Sequence, residues 1–179
     1  MKERYIYIYM KEIIYNKDNL KDNELDETVI RIKAVIINNK DEILLGKCHN
    51  TYQFPGGHLN PKEDLTTGLI REVKEETGIE LTNVPVPVAF IKNYTKNYHN
   101  TGKNRLNLIY YYYFTGSYTP GSSKTNLDTY EKEGNYHIEY IPLESFEKII
   151  NETIDLDPIN PIIYKEMCLI IDLLKKNIK

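Results

Sequence analysis

The chain has 179 residues, 41% of them hydrophobic and 27% charged, with a formal net charge of −3 at pH 7. That length and apolar content fit one domain with a real core, and the nearly balanced charge excludes bulk attraction to nucleic acid or to a membrane surface. No apolar run is long enough to span a bilayer. The two cysteines, Cys48 and Cys168, stand far apart without metal-ligand spacing, as free thiols of a reducing cytoplasm do.

Met1-Lys2-Glu3-Arg4 leads into Tyr5-Ile6-Tyr7-Ile8-Tyr9, whose alternation predicts a strand and not the apolar stretch of a signal peptide. One face of that strand must be covered, so it is expected to pair with the sheet or with a partner subunit. Asn16 to Glu27 is polar and reads as a linker. Residues 1–28 are therefore expected to form an N-terminal extension, and residues 29–179 the main domain. Val29 to Ile37 is a strongly β-forming run, Asn38-Asn39-Lys40-Asp41 turns it, and Glu42 to Leu45 returns as a hairpin partner. Phe54-Pro55-Gly56-Gly57 is a tight glycine turn, where backbone carbonyls can approach a ligand closely.

A helix follows. Leu65, Leu69 and Val73, with Ile70 beside them, form an apolar stripe that packs on a sheet. Asp64 is a good N-cap and Gly78 a good C-terminal stop. Asn60-Pro61-Lys62-Glu63 offers a competing start. The start at Asp64 is preferred because it leaves Glu63 in the loop, free to turn toward a metal. Gly68 inside the helix is expected to weaken it by about 1 kcal/mol relative to Ala. Glu72, Glu75 and Glu76 share one helix face by their i, i+3, i+4 spacing. Three like charges together repel, and a divalent cation would reverse the sign. Oxygen-only ligands suit Mg²⁺ or Mn²⁺. Glu-x-x-Glu-Glu alone is more often a solvated charged face; the fixed company of Gly57, Glu63 and Arg71 argues against that here.

Pro85 to Ile91 and Leu106 to Phe114 read as strands, joined by a long polar loop from Lys92 to Arg105. That loop carries Lys92, Lys96, Lys103 and Arg105 among Tyr94, Tyr98 and His99. It reads either as a lid over phosphates and a base or as a solvated hairpin tip. Tyr118 to Asn126 is a second loop, Ile138 to Ile141 a last strand, and Leu143 to Ile150 a short helix. Pro161 to Ile178 is a long helix with Ile163, Met167, Ile170, Leu174 and Ile178 on one stripe. The order of elements predicts an α/β/α layered domain.

Gly57, Glu63, Arg71, Glu72, Val73, Glu75, Glu76, Gly78 and Ile79 together resemble the Nudix box, without a gap. The resemblance implies a Nudix-like α/β/α sandwich around a mixed β-sheet, with a C-terminal helix and here an extra N-terminal strand. It implies a pyrophosphohydrolase that uses Mg²⁺ or Mn²⁺ to hydrolyse a phosphoanhydride bond in a nucleoside diphosphate linked to another group. The metal would be held by the Gly56 carbonyl, Glu72, Glu75, Glu76 and Glu63. Glu72 or Glu133 would act as base, the latter because Lys132-Glu133-Gly134 resembles a segment of the nucleotide-pool sanitisers. Glu131 is its near rival, and Glu139 is read as structural. Arg71 completes the catalytic set, as a tether for a neighbouring carboxylate. Arg31, Lys47, His58, Tyr94 and Lys96 are the candidate substrate contacts. The expected partner is a small-molecule nucleotide, with no membrane and no bulk nucleic acid, and a homodimer contact is one use for the extension. Two rivals remain. One is a catalytically silent nucleotide sensor, a kind of domain that usually loses box glutamates. The other is isoprenoid diphosphate isomerisation, which needs a cysteine and a glutamate pair that cannot be placed here.

Overall fold

A computed structural model describes residues 10–116, 118–121, 125–154 and 161–177. The strand expected at Tyr5 to Tyr9 and the helix end at Ile178 lie outside the described residues. The strands are β1 (Lys11–Tyr15), β2 (Glu27–Ile37), β3 (Glu42–Cys48), β4 (Thr51–Gln53), β5 (Val86–Thr95), β6 (Arg105–Thr115) and β7 (His137–Pro142). The helices are α1 (Leu65–Thr77), α2 (Thr129–Glu133), α3 (Phe146–Ile154) and α4 (Pro161–Asn177).

The strands form one mixed sheet in the order β1-β5-β6-β2-β3-β4, with β7 pairing β3. β1 runs parallel to β5 and β2 parallel to β6, while the hairpins are antiparallel. Side chains alternate across β2 and divide the core in two. Ile32, Ala34 and Ile36 meet Leu69 and Val73 of α1 on one face. Val35 and Ile37 join Phe146 of α3 and Tyr164, Met167 and Ile170 of α4 on the other. The layers are those of the expected sandwich. A strand that the sequence reading did not place stands at Lys11–Tyr15, where Ile13 packs against the core and Ile14 stays 58% exposed on the edge strand.

Two stretches read as loops are ordered differently. The Lys92 to Arg105 segment is strand at its two ends and a tip between them: β5 continues to Thr95 and β6 begins at Arg105. Ion pairs hold these ends, Lys92 to Glu12 at 2.5 Å and Arg105 to Glu27 at 2.6 Å. Arg105 also stacks over Tyr98 at 3.6 Å. Cross-strand partners thus override a polar composition that locally favours a loop. The segment before β7 is the short helix α2, started by Asp128 and Glu131 in a reciprocal capping box. Five residues are too few for a hydrophobic period to reveal. No helix among the described residues is long and apolar enough to cross a membrane.

The α1 helix starts where the caps predict. Asp64 accepts hydrogen bonds from the Thr66 and Thr67 amides at 3.1 and 3.0 Å, and Gly78 ends it with φ 70°. Gly68 of α1 faces Leu59 and Ile32. A Cβ there would lie 2.7 Å from Leu59 Cδ1 and 2.8 Å from Ile32 Cδ1. The glycine lets helix and sheet approach closely, so its lower helix propensity is outweighed by packing.

On the opposite face Glu166 of α4 is buried and accepts a hydrogen bond from the Tyr111 hydroxyl of β6. Burial pushes the Glu166 carboxyl above its usual range.

Gly68→Ala should therefore lower stability by about 1–3 kcal/mol through overpacking, where helix propensity alone would raise it by about 1 kcal/mol. Urea unfolding decides the sign. Glu166 gives a pH signature. A carboxyl raised in the folded state binds its proton more tightly than in the unfolded chain, so its contribution to stability falls as pH rises above the unfolded value of 4.5. Glu166→Gln keeps an acceptor for Tyr111 without the charge. Its stability relative to wild type should rise with pH above that point; a difference independent of pH would disprove the assignment.

Candidate active site

The sheet is forked. β2 and β3 pair at Ile37 and Ile43 beside their turn and then separate. Into the fork runs the chain after β4. The Ile32 and Ala34 amides donate to Gly57 and Pro55 carbonyls at 3.0 and 2.8 Å, and Leu59 donates to Ile30 at 3.1 Å. Gly56 adopts φ 123°, and a Cβ on it would run into the Ile32 carbonyl. Only glycine takes that backbone at low cost.

Gly56 is held from both layers. Its amide donates to Glu76 Oε2 of α1 at 2.9 Å. Its carbonyl accepts a hydrogen bond from the Lys33 ammonium, whose strand position faces the α4 side. Glu76 is 5% exposed, and Tyr136 Oη also donates to its Oε2 at 3.1 Å. Burial raises the Glu76 carboxyl to about 7, against the opposing pull of Lys33. Burial likewise drives the Lys33 ammonium below its usual value, against the pull of Glu76.

A cavity of about 220 Å³ opens at this point, lined by Arg31, Lys33, Gln53, Gly56, Gly57, His58, Glu72, Glu76, Asp128, Tyr130 and Glu131. Glu72 is raised by burial, and its carboxylate occupies the space a Cβ on Gly57 would need. Neighbours thus crowd a Cβ at Gly56 and at Gly57 alike. His58 is held below its usual value, first by burial and then by Arg31 and Lys33. Arg31 Nε is buried without a hydrogen-bond partner among the described residues.

Arg71 gathers the outer carboxylates. It donates to Glu63 through Nε at 2.8 Å and Nη2 at 2.9 Å, and through Nη1 to Glu72 at 2.8 Å and Glu75 at 2.9 Å. Those bonds draw Glu63 down to about 2. Glu63 is therefore tied to Arg71 and does not turn freely toward a metal, contrary to expectation. The bidentate fork fixes the loop to the helix. Glu75 sits on the rim beside Arg71.

Of the expected substrate contacts, Arg31 and His58 reach the cavity. Lys47 lies over the Tyr52 ring at 4.8 Å and does not line it. Tyr94 is paired with Leu106, and Leu106 with Thr28, which puts it on the opposite sheet face, where its hydroxyl donates to Asp22 at 3.1 Å. Lys96 is exposed at the hairpin tip. Both miss the site because the segment is a hairpin and not a lid. Glu133 is exposed at the end of α2, whereas Glu131, two residues earlier and so on roughly the opposite side of the helix, lines the cavity. Glu139 accepts from Tyr52 at 2.9 Å and does not line the cavity. Lys33, Gln53, Asp128 and Tyr136 were invisible to sequence reasoning. The lysine alternates with apolar residues at Ile32 and Ala34 on a strand otherwise buried, and that was its one available signal.

Among the described residues no three His, Cys, Asp or Glu side chains already stand as a preformed metal cluster. The donor chemistry still fits a hard divalent ion: Glu72, Glu76 and the Gly56 carbonyl are oxygens converging on one cavity, and a cation, the Lys33 ammonium, already takes that carbonyl.

A model of the NUDIX domain matches residues 27–161. A 53-residue stretch is 36% identical to the 8-oxo-dGDP phosphatase NUDT18 of Mus musculus, covering 27% of this chain and 16% of that protein. The fold resembles a NUDIX hydrolase from Nitrosomonas europaea, with TM-score 0.56 and 19% identity over 83% of this chain and 89% of the other. It also resembles the Ap4A hydrolase of C. elegans, with TM-score 0.50 and 19% identity over 85% and 99%. With a family match over most of its length, and with Gly57, Glu72 and Glu76 of the box lining one cavity, this chain belongs to the NUDIX domain family.

Proposed function

We propose that the chain is a metal-dependent pyrophosphohydrolase that cleaves a phosphoanhydride bond in a nucleoside diphosphate linked to another group. The observation that carries this reading is the convergence of Glu72, Glu76, the Gly56 carbonyl, Arg31 and Lys33 on one cavity. Carboxylates there suit a divalent ion, and the cationic side chains suit phosphate oxygens. Glu72, Glu76 and the Gly56 carbonyl would hold Mg²⁺ or Mn²⁺, with Glu75 at the rim. Such an ion lowers the pKa of bound water and neutralises phosphate charge. Arg31 and His58 would orient the phosphate chain. Glu131 would hold or deprotonate the attacking water, in the role first expected of Glu133, because it lines the cavity and Glu133 does not; one of its carboxylate oxygens caps α2 through the Asp128 amide. The similarity of a short segment to a nucleoside diphosphate phosphatase is consistent with a nucleotide substrate. Folds alone do not select among nucleotides.

A hydrolysis screen with Mg²⁺ over nucleoside di- and triphosphates, nucleotide sugars, ADP-ribose, dinucleoside polyphosphates and capped RNA tests the activity. No turnover of any member would reject it. Glu76→Gln should lower kcat by at least about 10²-fold, because a charge that balances the metal is lost. Glu131→Gln should show a loss of similar size, with Glu133→Gln close to wild type. The reverse order for those last two variants would return the role to Glu133.

A further inference from the structure

Lys33 is a half-buried residue whose ammonium lies in dense surroundings, donates to the Gly56 carbonyl and is attracted by Glu76, Glu72 and Glu131. Arg31 repels it from the same face. Its hydrogen-bond acceptor is thus one of the oxygens that the proposed function gives to a divalent ion, and the carboxylates that attract it include Glu72 and Glu76, which the same function gives to that ion. Two cations cannot share the Gly56 carbonyl at bonding distance without strong repulsion in a poorly solvated cavity. The acyclic lysine stem allows the ammonium to leave, since it is a compact charge on a flexible chain.

We infer that Lys33 is an internal competitor for the metal: its ammonium holds the Gly56 carbonyl and balances Glu76, and a divalent ion enters by displacing it toward the open cavity. Lys33 then faces the side of the cavity where Arg31 lies and where phosphate oxygens would arrive. The arrangement weakens binding of metal alone and makes anionic substrate favour its entry, because the displaced ammonium gains a new partner. The inference rests on the proposed metal reading of Gly56 and Glu76.

Mn²⁺ binding without substrate, followed by the loss of free-ion electron paramagnetic resonance signal at pH 8.5, tests it. Lys33→Met should bind Mn²⁺ at least about tenfold more tightly than wild type, since the competing charge is gone. Lys33→Arg, which keeps a cation, should gain nothing. Equal or weaker binding by Lys33→Met, or equal tightening by both variants, overturns the inference. Glu76→Gln separates the two readings. If it binds Mn²⁺ as wild type does, the metal site itself is misassigned, and the inference falls with it. If it loses Mn²⁺ while Lys33→Met gains nothing, the site stands and the competition alone is refuted. A measurement on the wild-type protein covers the case in which Lys33→Met does not fold. Mn²⁺ should raise the acylation rate of Lys33, read by peptide mass spectrometry against the other lysines, by several-fold or about that order. An unchanged or lower rate overturns the inference.

Discussion

The peptide of Gly56 is the point on which the site depends. It lies in the fork between β2 and β3, with φ 123°, its amide on Glu76 and its carbonyl under Lys33. One peptide therefore joins α1 on one face of the sheet to a strand side chain directed to the other. The fork is what makes this geometry available. Had β2 and β3 stayed paired along their length, their ladder would have taken the hydrogen bonds that now hold Pro55, Gly57 and Leu59. The helix carboxylates would then face a closed sheet.

Charge balance explains why the acidic helix face folds at all. Glu63, Glu72 and Glu75 meet one guanidinium, and Glu76 meets the Gly56 amide and a tyrosine hydroxyl with the Lys33 charge nearby. Arg71 is suited to the first task because its planar donors engage several carboxylates at once. Lys33 is suited to the second because a compact charge fits beside a backbone carbonyl. Arg71 thus gathers the outer carboxylates, with Glu72 reaching inward beside Glu76. Raised carboxyls at Glu72 and Glu76 mark the inner pair as the place where burial works against charge, which is how functional sites commonly differ from surface ion networks.

The far end of the sheet is built on another logic. The Lys92–Glu12 and Arg105–Glu27 pairs and the Arg105–Tyr98 stack consume the polar groups of the β5–β6 hairpin. Tyr94 is likewise engaged with Asp22. Those residues extend and close the sheet edge with β1, and the chemistry stays at the fork.

The sequence by itself determined the family, the box, the caps of α1 and the face that α1 buries, because each depends on spacings within about twenty residues. Asp64, Gly78, Leu69 and Val73 stand as their positions demand. Tertiary structure alone decided which charges meet. Lys33 reaches Gly56 from 23 residues away, Tyr136 reaches Glu76 from 60, and Glu166 reaches Tyr111 from 55. The choice of Glu131 over Glu133 at the cavity follows from the direction of a five-residue helix, and the absence of Tyr94 follows from strand register. Register and helix direction are set by long-range packing, where a shift of one residue turns a side chain to the other face, so no local pattern could carry them.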